Sequence, residues 1–316
     1  MNIKIKFSVL SLFTMLSFSS SASSSDYAGT AHVIKGEAEV NVSTLFTCKK
    51  GRSRPSPVGI KKYDDIEYIV PAKVQYEQKN FATDLYNECS QVTPKSLSEV
   101  NLSSVPIIEV DKDGEVITGY IFADNYFELF INGKLIAVDP IPFTPFNSNV
   151  VKFKVKKPYD IAIKVVDWEE NSGLGSEDNR GKRFHPGDGG FIASFSDGTT
   201  TDSSWSAQTF YTSPIYDLNC AREVREQRLT TECDTNGADK YIDTYSLHWD
   251  IPVNWKSDDS YLSWPNAVAF TESEIGVDNK KAYMNFQEQF SGAGASFIWS
   301  NNVVLDNLVL LRYRVK

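Results

Sequence analysis

Tyr126-Phe127-Glu128-Leu129-Phe130-Ile131-Asn132-Gly133-Lys134-Leu135-Ile136-Ala137-Val138 is the stretch that decides the fold class. Phe127, Leu129 and Ile131 fall on one face of an extended segment, because successive side chains of a strand point to opposite sides. Asn132-Gly133 supplies the two residues that tolerate positive φ in a tight turn, and residues 134–138 return. The stretch predicts a β-hairpin.

The same period of two recurs outward from it. Val151, Phe153 and Val155 alternate with Lys152, Lys154 and Lys156, which predicts one buried face and one wet, lysine-bearing face. Ile161, Ile163 and Val165 repeat the pattern, and Phe191, Ala193 and Phe195 precede a turn at Ser196-Asp197-Gly198. Val309, Leu311, Tyr313 and Val315 alternate with Leu308, Leu310, Arg312 and Arg314 at the far end. Two short helices are expected among the strands: residues 81–89, where Phe81 and Leu85 are four apart, and residues 279–290, where Ala282, Phe286 and Phe290 recur every four. Many short strands without βαβ alternation or a fixed repeat predict an all-β fold, an antiparallel β-sandwich with its variable loops at one rim.

The chain has 316 residues, 41% of them hydrophobic and 23% charged, enough for a sizeable core. Its 32 Lys and Arg against 41 Asp and Glu give a net charge of −9, so a nucleic-acid backbone would be repelled over most of the surface. Lys4 and Lys6 ahead of an apolar stretch and a small-residue run read as a signal peptide over residues 1–22. The run is shorter than the roughly 20 apolar residues of a membrane span, and no membrane insertion is expected. A Ser-rich linker follows at 23–31, then a small disulfide-tied, β-rich region at 32–104 and the β-sandwich at 105–316. The four cysteines form two sequence-local pairs, Cys48 with Cys89 and Cys220 with Cys233, which suits an extracytoplasmic, secreted or periplasmic protein. Zinc is disfavoured by the lack of a CxxC spacing and by a total of three histidines.

The run from Phe122 through Ala123-Asp124-Asn125 into the hairpin resembles the galactose-binding-like jelly roll, an accessory module of many glycoside hydrolases. Residues 151–165 and the Gly-rich loop 171–190 fit the order of that family's strands. Ser196-Asp197-Gly198-Thr199 with Thr201 to Trp205, and Asp258-Asp259-Ser260 with Trp264-Pro265, look like its later tryptophan-bearing turns. Phe297-Ile298-Trp299 and residues 309–312 look like its closing pair. The resemblance covers residues 116–211 and 250–316, leaving 213–248 as an insertion. It implies a jelly-roll fold, in a family that includes sugar binders, lipid-surface binders and purely structural modules, with calcium sites common.

The most unusual segment is residues 166–190, VDWEENSGLGSEDNRGKRFHPGDGG. Its carboxylates repel one another unless a cation or an arginine sits among them. One reading is a solvated acidic loop partnered by Arg180, Lys182 and Arg183; the other is a structural calcium site at Glu177, Asp178 and Asp188. Trp168 beside Glu169, Glu170 and Asn171 offers an aromatic face and polar groups for a sugar ring, or else packs in the core. Arg180, His185 and Asp188 complete the candidate ligand rim, although His185-Pro186-Gly187-Asp188 also reads as a rigid turn. No nucleophile elbow, zinc helix or phosphate loop is present, so no catalytic residue is assigned. The expectation is a non-catalytic binding protein for carbohydrate or glycoconjugate. Its rivals are an extracytoplasmic enzyme acting on polysaccharide or using a metal, and an interaction module of a surface assembly.

Overall fold

The computed structural model describes residues 27–179, 182–235, 243–257 and 259–316. The signal peptide, most of the Ser-rich linker and Arg180 lie outside them, and the side chains of Lys182 and Arg183 are likewise not described.

Two seven-stranded sheets carry the chain. The first runs His32–Lys35, Tyr245–His248, Ser206–Ile215, Asp306–Val315, Tyr159–Val166, Tyr126–Ile131, Lys134–Val138, with every pair antiparallel. The second runs Val268–Phe270, Phe297–Trp299, Gly190–Phe195, Glu115–Asp124, Ser148–Val155, Thr83–Tyr86, again antiparallel, while Ile107–Glu109 adds a parallel pairing to Ser148–Val155. The hairpin forms as its sequence dictates, with φ of 48° at Asn132 and 76° at Gly133. Its register places Phe127, Leu129 and Ile131 opposite Val165, Ile163 and Ile161, which in turn face Val309, Leu311 and Tyr313. These residues join Ile121, Val151, Phe153, Phe191 and Phe195 of the second sheet in one apolar cluster. Burial of each such side chain is worth about 1.5–3 kcal/mol, so this shared cluster is what holds the sheets together.

The alternation underestimates how much is buried. Tyr126, Phe130, Ala162, Val166, Leu308 and Leu310, on the opposite face of the first sheet, are covered by a second cluster that includes Val70, Trp168, Trp249, Trp255 and Trp264. A three-stranded sheet, Glu39–Val42, Val58–Tyr63 and Ile66–Val70, contributes Val58 and Val70 to that cover. Lys164 is therefore buried, and it pairs with Glu128 on the adjacent strand at 3.3 Å. On the second sheet Lys152 and Lys154 are half-buried, their ammonium groups donating to the carbonyls of Leu102 (2.6 Å) and Lys112 (2.7 Å).

Two expectations are corrected. Residues 81–89 contain the strand Thr83–Tyr86 and no helix, because pairing with Ser148–Val155 outweighs the four-residue spacing of Phe81 and Leu85. The helix foreseen over 279–290 shrinks to Lys281–Met284 followed by a 3-10 turn at Gln287–Gln289, although Ala282, Phe286 and Phe290 are all buried. The region 32–104 lends an edge strand to each sheet, His32–Lys35 to the first and Thr83–Tyr86 to the second. Both disulfides form the local pairs, Cys48–Cys89 and Cys220–Cys233. Among the described residues no helix is long and apolar enough to cross a membrane.

Candidate functional site

Charged groups concentrate in two places, the loop 166–190 and a cleft beside Cys48–Cys89. The loop leaves the end of Tyr159–Val166, next to where Glu115–Asp124 ends and Gly190–Phe195 begins. That arrangement gathers Asp124, Asp167, Glu169 and Asp188. Burial, with the charge of Asp188 next, holds the Asp124 carboxyl well above the usual carboxylate range. Asp167 is raised in the same way, by burial and then by Asp124, and Glu169 by burial and then by Asp167. Asp188, less enclosed, is pushed up to about 6 by burial and the charge of Glu177.

Several of the loop's polar side chains are engaged by Arg54 or by the loop itself. Arg54 reaches in from the N-terminal region and grips Glu170 with two bonds of 2.6 Å, while its third nitrogen meets Glu177 at 2.9 Å. Asn171 donates to the carbonyl of Ser176 at 3.0 Å and to Asp178 at 2.9 Å. Glu169 accepts the Gly187 N–H at 2.5 Å. His185, exposed, is held against the carbonyl of Pro186 at 2.7 Å. Glu177 and Asp178 are thus engaged by Arg54 and Asn171. Among the described residues no group of three or more His, Cys, Asp or Glu is placed to hold a metal.

Trp168 is the clearest correction. Its ring is wholly buried, edge-on to Tyr126 with centroids 5.7 Å apart, and its indole N–H donates to the carbonyl of Pro57 at 3.1 Å. It presents no face to a sugar. The other five tryptophans are buried as well, Trp249 donating to Glu223 at 2.8 Å and Trp255 standing on Phe130.

The cleft beside Cys48–Cys89 has the opposite character. It encloses about 770 Å³ and is lined by the cations Lys50, Arg52, Lys95 and Lys281, all exposed, with Glu88 as its one carboxylate among the described residues. The Cys48–Cys89 bond fixes the segment carrying Lys50 and Arg52 against the one carrying Glu88, Gln91 and Lys95. A second hollow of about 580 Å³ shares Lys50, Cys89 and Gln91 with it and is lined by Phe46, Tyr76 and Phe81. Phe81 is 41% exposed, and its ring lies 5.1 Å from that of Tyr76. Aromatic surface and open cations therefore adjoin across the disulfide. Sequence reading missed this site because Lys281 joins it from the far end of the chain; the run Cys48-Lys49-Lys50-Gly51-Arg52 was the available signal.

Comparison with known proteins returned no match, whether to a family model, a curated protein or a solved structure.

Proposed function

We propose that the protein is an extracytoplasmic, non-catalytic binding protein for carbohydrate or glycoconjugate, and that the ligand carries acidic groups and occupies the cleft beside Cys48–Cys89. In this reading the two sheets with their shared apolar cluster form a β-sandwich of the jelly-roll, galactose-binding-like kind. The two disulfides support the compartment. The observation that carries the reading is four exposed cations converging on one hollow in a chain of net charge −9. Such a concavity attracts anions against the sign of the whole molecule, and the neighbouring aromatic faces suit the apolar side of a sugar ring.

Affinity electrophoresis through gels containing sulfated, uronate or neutral polysaccharides tests it. Retardation by an acidic polymer, lost when Lys50, Arg52, Lys95 and Lys281 are replaced together by Gln, is the expected result. No retardation by any polymer, or equal retardation of the variant, would overturn it.

The burial of all six tryptophans favours a second reading, an interaction module of a surface assembly. Co-purification of a stable protein partner without polysaccharide binding would decide for it.

A further inference from the structure

The two disulfides lie in opposite surroundings. Cys233 is buried in the outer apolar cluster of the first sheet and Cys220 packs against that cluster, which restricts the approach to their bond. Cys48 and Cys89 are both only half-buried and line the cationic cleft, and Cys89 lines the neighbouring hollow as well. Their bond borders open space.

Thiol–disulfide exchange depends on this difference. A thiolate attacks one sulfur and the other departs as a thiolate, so the rate follows access to the bond and the stability of the departing anion. Nearby cations stabilise that anion by lowering the pKa of its thiol. Lys50, Arg52, Lys95 and Lys281 line the same hollow as the two sulfurs, with Glu88 as its one carboxylate among the described residues. An anionic nucleophile, repelled by the chain's net charge of −9, is drawn to this place.

The segment that carries Cys48 is secured at its ends and not along its length. The Leu45 N–H donates to the Ser56 carbonyl at 2.8 Å and the Arg54 N–H to the Thr144 carbonyl at 3.0 Å. Between these ties, residues 47–53 make no hydrogen bond to another segment among the described residues; the Cys48 N–H donates to Ser53 Oγ at 3.2 Å, within the loop itself. Thr47, Lys49, Lys50, Gly51 and Arg52 are exposed. The disulfide is therefore the covalent latch between this loop and the segment that carries Glu88, Gln91 and Lys95.

We infer that Cys48–Cys89 is a thiol-exchange site selective for small thiols that carry carboxylates, and that exchange releases the loop 47–53 from the cleft wall. Cys89, which borders both hollows, is the sulfur attacked. The incoming thiolate bonds to Cys89 Sγ, the S–S bond breaks, and its electron pair leaves on Cys48, whose thiolate has Lys50 and Arg52 close behind it in the chain. The product is a mixed disulfide at Cys89 and, after protonation from water, a thiol at Cys48. A second molecule of the same thiol then frees Cys89, so that two thiols are oxidised to their own disulfide for each protein bond reduced. The inference does not depend on which ligand the cleft takes, and its test contains no polysaccharide.

The full chain with both disulfides formed is treated, under native conditions and at low salt, with glutathione, which is anionic, or cysteamine, which is cationic. Opened bonds are trapped by alkylation and counted by peptide mass spectrometry. Dividing the rate at Cys48–Cys89 by the rate at Cys220–Cys233 in the same molecule cancels the intrinsic reactivity of each thiol. With glutathione this ratio should exceed about ten, with the early adduct on Cys89, and with cysteamine it should be about tenfold smaller. Replacing Lys50, Arg52, Lys95 and Lys281 together by Gln should remove most of that difference between thiols. Salt at about 1 M, where screening acts within about 3 Å, should do the same in the parent chain, which keeps the test decisive should the variant fail to fold. Trypsin should cut after Lys49, Lys50 or Arg52 faster once the bond is open. Equal opening of the two disulfides by glutathione, one ratio for both thiols, or trypsin cleavage indifferent to the bond would overturn the inference.

Discussion

The loop 166–190 and the cleft beside Cys48–Cys89 are both rich in charge, with opposite sign and opposite access to water. In the loop, carboxylates are enclosed, and their energies are set by desolvation and by the few partners the fold provides. In the cleft the ammonium and guanidinium groups are exposed, so each contributes little to stability and remains available to a ligand. Composition alone singles out the loop as the binding feature. Packing reverses that ranking, because Glu170 and Glu177 of the loop are engaged by Arg54 and Asp178 by Asn171, whereas Lys50, Arg52, Lys95 and Lys281 of the cleft stand exposed.

Several substitutions probe this contrast. The largest effect is expected from the two disulfides. In the chain-entropy account, bridges spanning 41 and 13 residues contribute about 4 and 3 kcal/mol respectively. Replacing Cys48 and Cys89 by Ser should lower stability by that larger amount in denaturant titration and abolish retention on acidic polysaccharide. Replacing Cys220 and Cys233 should lower stability while leaving retention intact; loss of retention there would break the assignment of the ligand to the cleft.

Next is a buried ammonium. Lys61 donates to the carbonyl of Gly173 in the loop (2.8 Å) and to Ser246 (2.6 Å), and burial lowers its pKa from 10.5 to about 7. Between pH 7 and 10.5 the unfolded chain holds a proton there that the folded chain has lost. Stability should therefore rise with pH across this window, by roughly 4 kcal/mol. Lys61→Met should flatten that rise in urea titrations at stepped pH. Lys50→Met, in the open cleft, should leave the profile unchanged.

Arg54→Ala, which strands Glu170 and Glu177 in a partly buried setting, should cost about 2 kcal/mol by thermal or chemical unfolding. It should not weaken polysaccharide retention. The smallest effect belongs to Lys50→Gln: a stability change below about 0.5 kcal/mol, with weaker retention that declines further as salt is added. A large destabilisation would mean that the cleft cations are structural, and the contrast would fail.

The parts legible in the sequence are those specified by near neighbours. The hairpin at Asn132-Gly133 could be read because turn chemistry and a period of two coincide within a dozen residues, and the cysteine pairs because polar segments separate their members. What escaped depends on contacts between distant segments. Trp168 is buried by Tyr126 and the carbonyl of Pro57, and neither contact leaves a local trace. The outer cover of the first sheet comes partly from the irregular N-terminal strands, so Lys164, alternating like a surface residue, lies buried against Glu128. The cleft unites Lys50, Lys95 and Lys281, which no motif connects. Among the loop residues, Glu169 is buried and accepts the Gly187 N–H, a contact that no local pattern announces.

Hydrogen–deuterium exchange with and without a retained acidic oligosaccharide tests the central assignment most directly. Slower exchange at residues 48–52 and 86–95, with 166–179 unchanged, is the predicted result. Protection confined to 166–179, with the cleft segments unaffected, would contradict it.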